Sequence, residues 1–366
     1  MPSETNEPER LPHDALTRAV QAAFGAGARI AAVEPLFGDA SSRRYVRLRL
    51  AGEQAPSTAV AMLLGEGRFA ATSDELGDGA PIDELPFLNV GRYLSARQLP
   101  VPAVYHDAAA AAGLLLLEDV GDLTLWAAAR DAPAERTALF GAAVDMLVTL
   151  QVAGVREPDP ACYAFRRRFD GRLARWELEH FIEHGVETRH GRRLAPAERT
   201  ALLEDLAPVV EPFAAAELVL AHRDFMAWNL HVQDGRLRLI DFQDALLAPD
   251  AFDLAQLLTD RSTGTLIPPA LEDALIARFR AGRATAGLPL RPGFTTRYRL
   301  CALQHALKVI GRFYFLERVK RKPGYLAYLP AVYAVARRMF AAFPALAPVR
   351  ARLATHVPEL AEAAGR

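Results

Sequence analysis

The chain has 366 residues, 51% of them hydrophobic, and its 43 lysines and arginines against 44 aspartates and glutamates leave a net charge of −1. That length allows two domains or lobes with ample core, and the balanced charge excludes a nucleic-acid binder, which carries a basic surplus. The two cysteines, Cys162 and Cys301, are too far apart for metal-ligand spacing and too few for a disulfide framework. The polar start MPSETNEPER lacks the apolar core of a secretory signal. No run is read as approaching the roughly 20 apolar residues of a membrane span. A cytoplasmic protein with neither nucleic-acid nor membrane partners is the expectation.

Residues 1–12 read as a polar tail. Residues 14–24, DALTRAVQAAF, place apolar side chains at helical spacing, and Gly25 and Gly27 stop that helix. The apolar stretch over 31–50 is interrupted by GDASSRRY, and YVRLRL after it alternates with period two, so 37–44 is the predicted turn between two strands. Residues 59–64 form a third strand and 65–83 a loop. Residues 87–99 form a helix stopped by Pro100 and Pro102. Tyr105 and 113–118 supply further strands. After Asp122 long amphipathic helices follow, at about 133–155, 169–184, 196–213, 269–284, 295–318 and 326–343, around one β-rich stretch at 218–258. Strands followed by helices predict an α+β, two-lobed architecture. Its small N-terminal nucleotide-binding lobe covers 13–120, and its larger C-terminal catalytic and substrate-binding lobe covers 122–366.

The chemistry concentrates in 218–258. Asp224 follows an apolar, strand-like run, so it is expected where a loop leaves the sheet, in reach of an attacking hydroxyl as general base. Asn229 and Asp241 are oxygen donors of the kind magnesium takes, one or two from protein and the rest from phosphate and water. Between them, Asp234-Gly235 marks a hairpin turn that returns Asp241 beside Asn229. A lone HRD or DF carries little weight. H-R-D, four residues, N, eleven residues, D-F, with a strand before and a hairpin between, is specific. It is the set with which kinases hold magnesium-nucleotide and accept a hydroxyl proton. His222 is expected to be structural, tying the loop to the core.

With these residues the chain resembles the aminoglycoside-phosphotransferase and choline-kinase branch of the protein-kinase-like superfamily. Within that branch it is most similar to the bacterial kinases that phosphorylate N-acetylmuramate and N-acetylglucosamine at C1 in cell-wall recycling. Four stretches carry the resemblance: GDASSRRY at 38–45, LLLEDVGD at 115–122, HRDFMAWN and IDFQDA within 222–245, and LKVIGRFYFLERVKRKPGYLAYLP at 307–330. The resemblance implies the protein-kinase-like fold, ATP and Mg2+, Asp224 as catalytic base, Asn229 and Asp241 as metal ligands, and Asp253 as the brace of the catalytic loop. It further implies that Gly38, Asp39, Ser41, Ser42, Arg43 and Arg44 cover the nucleotide phosphates. The hinge near 118–121 would offer the backbone of Glu118 and Val120 to adenine.

One departure stands out. Most kinases of this superfamily carry a phosphate-binding lysine on the third strand, where this chain has Met62 or Leu63, and its N-terminal lobe holds no lysine. Arg43 and Arg44 are expected to supply that charge, since a guanidinium holds two phosphate oxygens at once. The other reading is a pseudokinase or nucleotide-binding module.

For the acceptor, Glu177 and Glu179 sit about 200° apart on a helix, and the resemblance favours Glu177 as the one facing sugar hydroxyls. Gln304, Lys308 and Arg312, spaced by four, form a polar stripe whose cations suit the lactyl carboxylate of a muramate. The expected activity is ATP-dependent phosphorylation of the anomeric hydroxyl of N-acetylmuramate, N-acetylglucosamine or both, in peptidoglycan recycling. The alternative acceptor is an aminoglycoside or other amino alcohol.

Overall fold

A computed structural model describes residues 11–36, 43–65, 83–215 and 217–361. They fall into two compact units, one built from the described residues up to 65 with 83–85 and 101–121, the other from 86–100 and 122 onward.

The first unit starts with helix α1 (His13–Phe24) and strands β1 (Arg29–Leu36), β2 (Arg44–Ala51) and β3 (Thr58–Leu63). Helix α2 (Pro86–Ala96) then intervenes before β4 (Val104–Ala108), the short α3 (Ala109–Ala112) and β5 (Leu114–Glu118). The five strands make one antiparallel sheet in the order β1-β2-β3-β5-β4. Period-two alternation sends Val46, Leu48, Ala59, Ala61, Leu63, Leu114 and Leu116 onto Leu16, Ala19 and Val20 of α1. Tyr45, Arg47, Val60 and Met62 alternate to the other face, with Tyr45 opposite Met62 and Arg47 opposite Val60. Met62 is fully buried there. Arg47 makes a two-pronged ion pair with Asp119, Nε to Oδ2 at 2.6 Å and Nη2 to Oδ1 at 3.0 Å. Asp119 also accepts the Gly121 N–H at 3.0 Å. Burial alone would raise its pKa, but the bonds from Arg47, Gly121 and Thr58 outweigh it and hold the carboxyl below its ordinary value. The segment after β5 is thus anchored to β2. Gly38, Asp39, Ser41 and Ser42 lie outside the described residues.

Helix α2, read from sequence as part of the first lobe, clusters with the second unit. There Phe87 stacks on Phe242 at 4.8 Å between ring centres, and Asn89 bonds Ala161 and Tyr163 through their backbones. The second unit continues with α4 (Leu125–Asp131), α5 (Arg136–Arg156), α6 (Gly171–His180), α7 (Pro196–Asp205), α8 (Ala207–Ala215), β6 (Leu218–Ala221), β7 (Leu230–Gln233), β8 (Arg236–Leu239) and β9 (Leu246–Pro249). It ends with α9 (Phe252–Thr259), α10 (Pro269–Thr285), α11 (Phe294–Tyr314), α12 (Leu329–Ala341) and α13 (Ala347–Ala354). Asp170 caps α6 by accepting the Leu173 N–H at 3.0 Å, and Thr124 caps α4 through Ala127. The single helix expected over 196–213 is broken at Leu206, because Pro208 has no N–H to continue the ladder. Helices α6 and α11 each run on into wider, π-helical turns, Phe181–Thr188 and Phe315–Val319.

The segment Pro133–Arg156 is long and apolar enough to span a membrane, contrary to the expectation from the residue run. Half of its apolar stretch is buried inside the unit, where α5 packs on α10 and β6, so it reads as a core helix. Two crossings are tight enough to require glycine. A Cβ on Gly154 of α5 would stand 2.3 Å from Leu220 Cβ, and one on Gly311 of α11 would stand 2.6 Å from Phe181 Cα.

Candidate active site

Strand β6 pairs with β9 and β7 with β8, so the loops 222–229 and 240–245 both connect these two small sheets. Backbone bonds clamp the loops together. The Ile240 N–H donates to the Asn229 carbonyl at 3.0 Å, which sets Asp241 beside Asn229 as the hairpin predicts. His222 Nε2 lies 2.9 Å from the Ile240 carbonyl, and its Nδ1 accepts the Asp224 N–H at 3.3 Å. That pattern needs a neutral ring, and burial, the dominant effect, lowers the imidazole pKa to match.

The loop carries strain at Arg223, whose φ is +80°. Helix α9 holds it there. Asp253 Oδ2 accepts the His222 N–H at 2.6 Å, Oδ1 accepts the Arg223 N–H at 3.1 Å, and Gln256, one turn on, accepts the Phe225 N–H at 3.2 Å. Both side chains are buried. Burial pushes the Asp253 carboxyl up to about 7, against the lowering effect of the two amides.

Asp224 presents its carboxylate within this frame. Desolvation raises its pKa, but the positive charges of Lys308 first, then Arg223, outweigh it, and the group stays below its ordinary value. Asp241 goes the other way. The protein around its carboxyl and the repulsion of Asp224 raise its pKa, although Gln243 Nε2 donates to Oδ1 at 2.8 Å. Two carboxylates that disfavour each other's charge form a donor set that a divalent cation suits. Asn229 donates its Nδ2–H to the Asp224 carbonyl at 2.9 Å, which leaves its amide oxygen for a ligand. Among the described residues no three or more His, Cys, Asp or Glu side chains converge into a self-sufficient metal site. An ion held by Asn229 and Asp241 would need its other ligands from phosphate and water.

Three of the four acceptor candidates come together, and they bind one another. Glu177 is buried, its Oε2 taking the Gln304 Nε2–H at 2.5 Å and its Oε1 lying 2.9 Å from Lys308 Nζ. Glu179, as the helical angle requires, points elsewhere, to Arg175 at 3.3 Å on the surface. Lys308 thus pairs with Glu177, and its charge also acts on Asp224. Arg312, four residues on from Lys308, has its guanidinium 5.4 Å from the Phe315 ring centre. Arg43, Arg44, Glu118 and Val120 belong to the other unit. There the Glu118 carboxylate accepts the Ala103 N–H at 3.0 Å and the Val120 side chain is buried.

Several contributors are absent from the sequence-based set. Gln256 braces the loop, and its spacing of three from Asp253 on one helix face is the signal that would have found it. His305 shares the face of α11 that bears Lys308, and its Nε2 lies 3.6 Å from Asp260 Oδ1. Trp228, next to Asn229, stacks on Trp126 at 4.5 Å and donates its Nε1–H to Ser262 Oγ at 2.7 Å. These join segments remote in sequence, and no local pattern announces them.

Comparison with known proteins gives a consistent result. The model of the phosphotransferase enzyme family matches residues 33–291. An N-acetylmuramate/N-acetylglucosamine kinase of Caulobacter vibrioides is 31% identical over 353 residues, 89% of this chain and 92% of that protein. A choline/ethanolamine kinase family protein from Mesorhizobium loti shares 16% identity at a TM-score of 0.56, covering 92% of this chain and 99% of its own. The ADP-bound aminoglycoside phosphotransferase APH(2'')-Ib gives 15% identity and 0.53, with 85% and 95% covered. The fold is the protein-kinase-like fold shared by those two enzymes.

Proposed function

The chain belongs to the phosphotransferase enzyme family, and from that premise we propose that it is an ATP-dependent amino-sugar kinase phosphorylating the anomeric hydroxyl of N-acetylmuramate, N-acetylglucosamine or both. A kinase acting on a hydroxyl follows from the family. The acceptor is inferred from the kinase of Caulobacter vibrioides and from the residues around Asp224.

In this reading the Asp224 carboxylate takes the proton of the C1 hydroxyl. The freed oxygen attacks the γ-phosphorus of ATP, the bond from that phosphorus to the β–γ bridging oxygen breaks, and ADP leaves. Asp224 suits the task because Lys308 keeps it ionised and Asp253, Gln256 and His222 fix the loop that carries it. Asn229 and Asp241 would hold Mg2+, which when bound neutralises charge on the phosphates. The backbone at Glu118 and Val120 would receive adenine, and Arg43 with its neighbours the phosphates. Lys308 and Arg312 disfavour a polycationic acceptor such as an aminoglycoside.

The observation that carries the proposal is the charged, rigidly held Asp224 beside Asn229 and Asp241. Transfer of labelled phosphate from ATP to a panel of amino sugars and aminoglycosides, with NMR of the product to locate the phosphate, tests it. Phosphate on C1 of an N-acetylated amino sugar is expected, with Asp224→Asn slowing turnover by about 10²–10⁴-fold while ATP still binds. Transfer to aminoglycosides alone, or full activity in the variant, would overturn it.

A further inference from the structure

Arg261 follows α9 in the turn that carries Asp260 and Ser262. Its guanidinium carbon lies 5.3 Å from the ring centre of Tyr328, 5.4 Å from Phe313 and 5.8 Å from Trp228. Among the described residues no carboxylate is in ion-pair reach of it and no acceptor bonds it, and its Nε is buried without a partner. Five N–H donors held between three aromatic faces, with no acceptor among the described residues, are the chemistry of a site for a planar anion.

Its surroundings join it to the reaction centre. Trp228 is one residue from Asn229, and Ser262, one from Arg261, takes the Trp228 Nε1–H at 2.7 Å and through its carbonyl the Trp126 Nε1–H at 3.2 Å. Asp260, on the other side of Arg261, reaches His305 on α11 at 3.6 Å, and His305 lies three residues from Lys308 on that helix. Phe313 belongs to the same helix, α11, as Lys308. The cation thus stands by the acceptor-side helix. Lys308, the residue expected from sequence to meet a muramate carboxylate, is already paired with Glu177.

Building on the amino-sugar reading, we propose that Arg261 binds the carboxylate of the acceptor, the lactyl group of N-acetylmuramate, and so sets the preference between that sugar and N-acetylglucosamine. The guanidinium takes the two carboxylate oxygens side by side, and the rings of Trp228, Phe313 and Tyr328 shield the pair from water.

The test is steady-state kinetics with both sugars, and with N-acetylmuramate methyl ester, on the wild type, Arg261→Met and Arg261→Lys. In Arg261→Met the ratio of kcat/KM for N-acetylmuramate to that for N-acetylglucosamine falls about 10- to 100-fold, the range of a charge-assisted bond, and Arg261→Lys falls between. On the wild type, esterification costs the same factor; on Arg261→Met it costs little. An unchanged ratio, a loss shared equally by both sugars, or a rise confined to the KM for ATP overturns the inference, the last by moving Arg261 to the phosphates. If the variants fail to fold, a wild type that uses the ester as well as the acid still overturns the inference. A wild type that uses N-acetylglucosamine but not N-acetylmuramate overturns this inference alone. One that phosphorylates neither sugar overturns the proposed function and this inference with it.

Discussion

Lys308 is one of only three lysines in the chain, and it pairs with Glu177 at 2.9 Å. Its charge is the largest influence holding the Asp224 carboxyl down against burial. Replacing it with methionine should therefore raise the Asp224 pKa. Since the base works ionised, activity is lost as pH falls through that pKa, so the acid limb of the kcat profile should move to higher pH in Lys308→Met. An unmoved limb would assign that limb to another group. Asp253 makes a second case. Its two oxygens accept two buried amide protons, and asparagine keeps only one acceptor, so Asp253→Asn should lose about 1–3 kcal/mol in denaturant unfolding. Arg43 and Arg44 make a third. Arg44 shares the alternation of Val46 and Leu48 on the α1 side of the sheet, whereas Arg43 precedes it with the alternation of Tyr45 and Arg47. Adjacent side chains on opposite faces do not serve one ligand equally, so Arg43→Ala and Arg44→Ala should change the KM for ATP unequally. Equal effects would show that the strand alternation does not extend to this end.

Among elements, the two tightest crossings bear on the site. Gly154 lets α5 lie against β6, the strand that ends one residue before His222, and Gly311 lets α11 lie against the π-helical turn after α6. Such contacts with backbone or Cβ atoms leave no flexible side-chain end to give way. Gly154→Ala should destabilise by about 1–3 kcal/mol, read from the denaturation midpoint at constant m-value. The wide turns ending α6 and α11 begin inside the lengths read as plain helix, 169–184 and 295–318, and run past their ends. Periodicity finds the helices, but the switch in hydrogen bonding depends on neighbours that periodicity does not contain. Strand β9 is missing from the sequence reading for the same kind of reason. Its four residues, LLAP, carry no alternation to detect and are a strand because β6 pairs with them.

At the scale of the molecule, acid stability depends on carboxylates whose pKa values move in opposite directions. Asp119, bound by Arg47, and Glu359, bound by Arg189 at 2.7 Å, both sit below their ordinary values despite burial. A depressed carboxyl contributes stability that is present above its unfolded pKa, about 4, and is lost as pH falls through the folded value. Asp253, raised to about 7, does the reverse: its contribution is complete below about 4 and is lost as pH rises toward 7. Unfolding followed from pH 3 to 8 should show Arg47→Met losing part of the acid-side slope and Asp253→Asn losing part of the slope between 4 and 7.

The sequence by itself determined the reaction class. Asp224, Asn229 and Asp241 lie within eighteen residues joined by one hairpin, and a turn such as Asp234-Gly235 is dictated by local backbone chemistry. The two-part α+β architecture was equally legible, because period-two and period-3.6 patterns are local properties of the chain. The partners were decided by tertiary structure alone. Glu177 meets Lys308 and Gln304 across about 130 residues, Trp228 meets Ser262 across 34, and Arg261 finds its three rings on the loop after β6, on α11 and in the turn before α12. Glu177, Gln304 and Lys308 read from sequence as acceptor-facing side chains, and nothing along the chain pairs them with one another. Which cation is paired within the fold depends on which residues the packing brings within a few ångströms, and that distance has no counterpart along the chain.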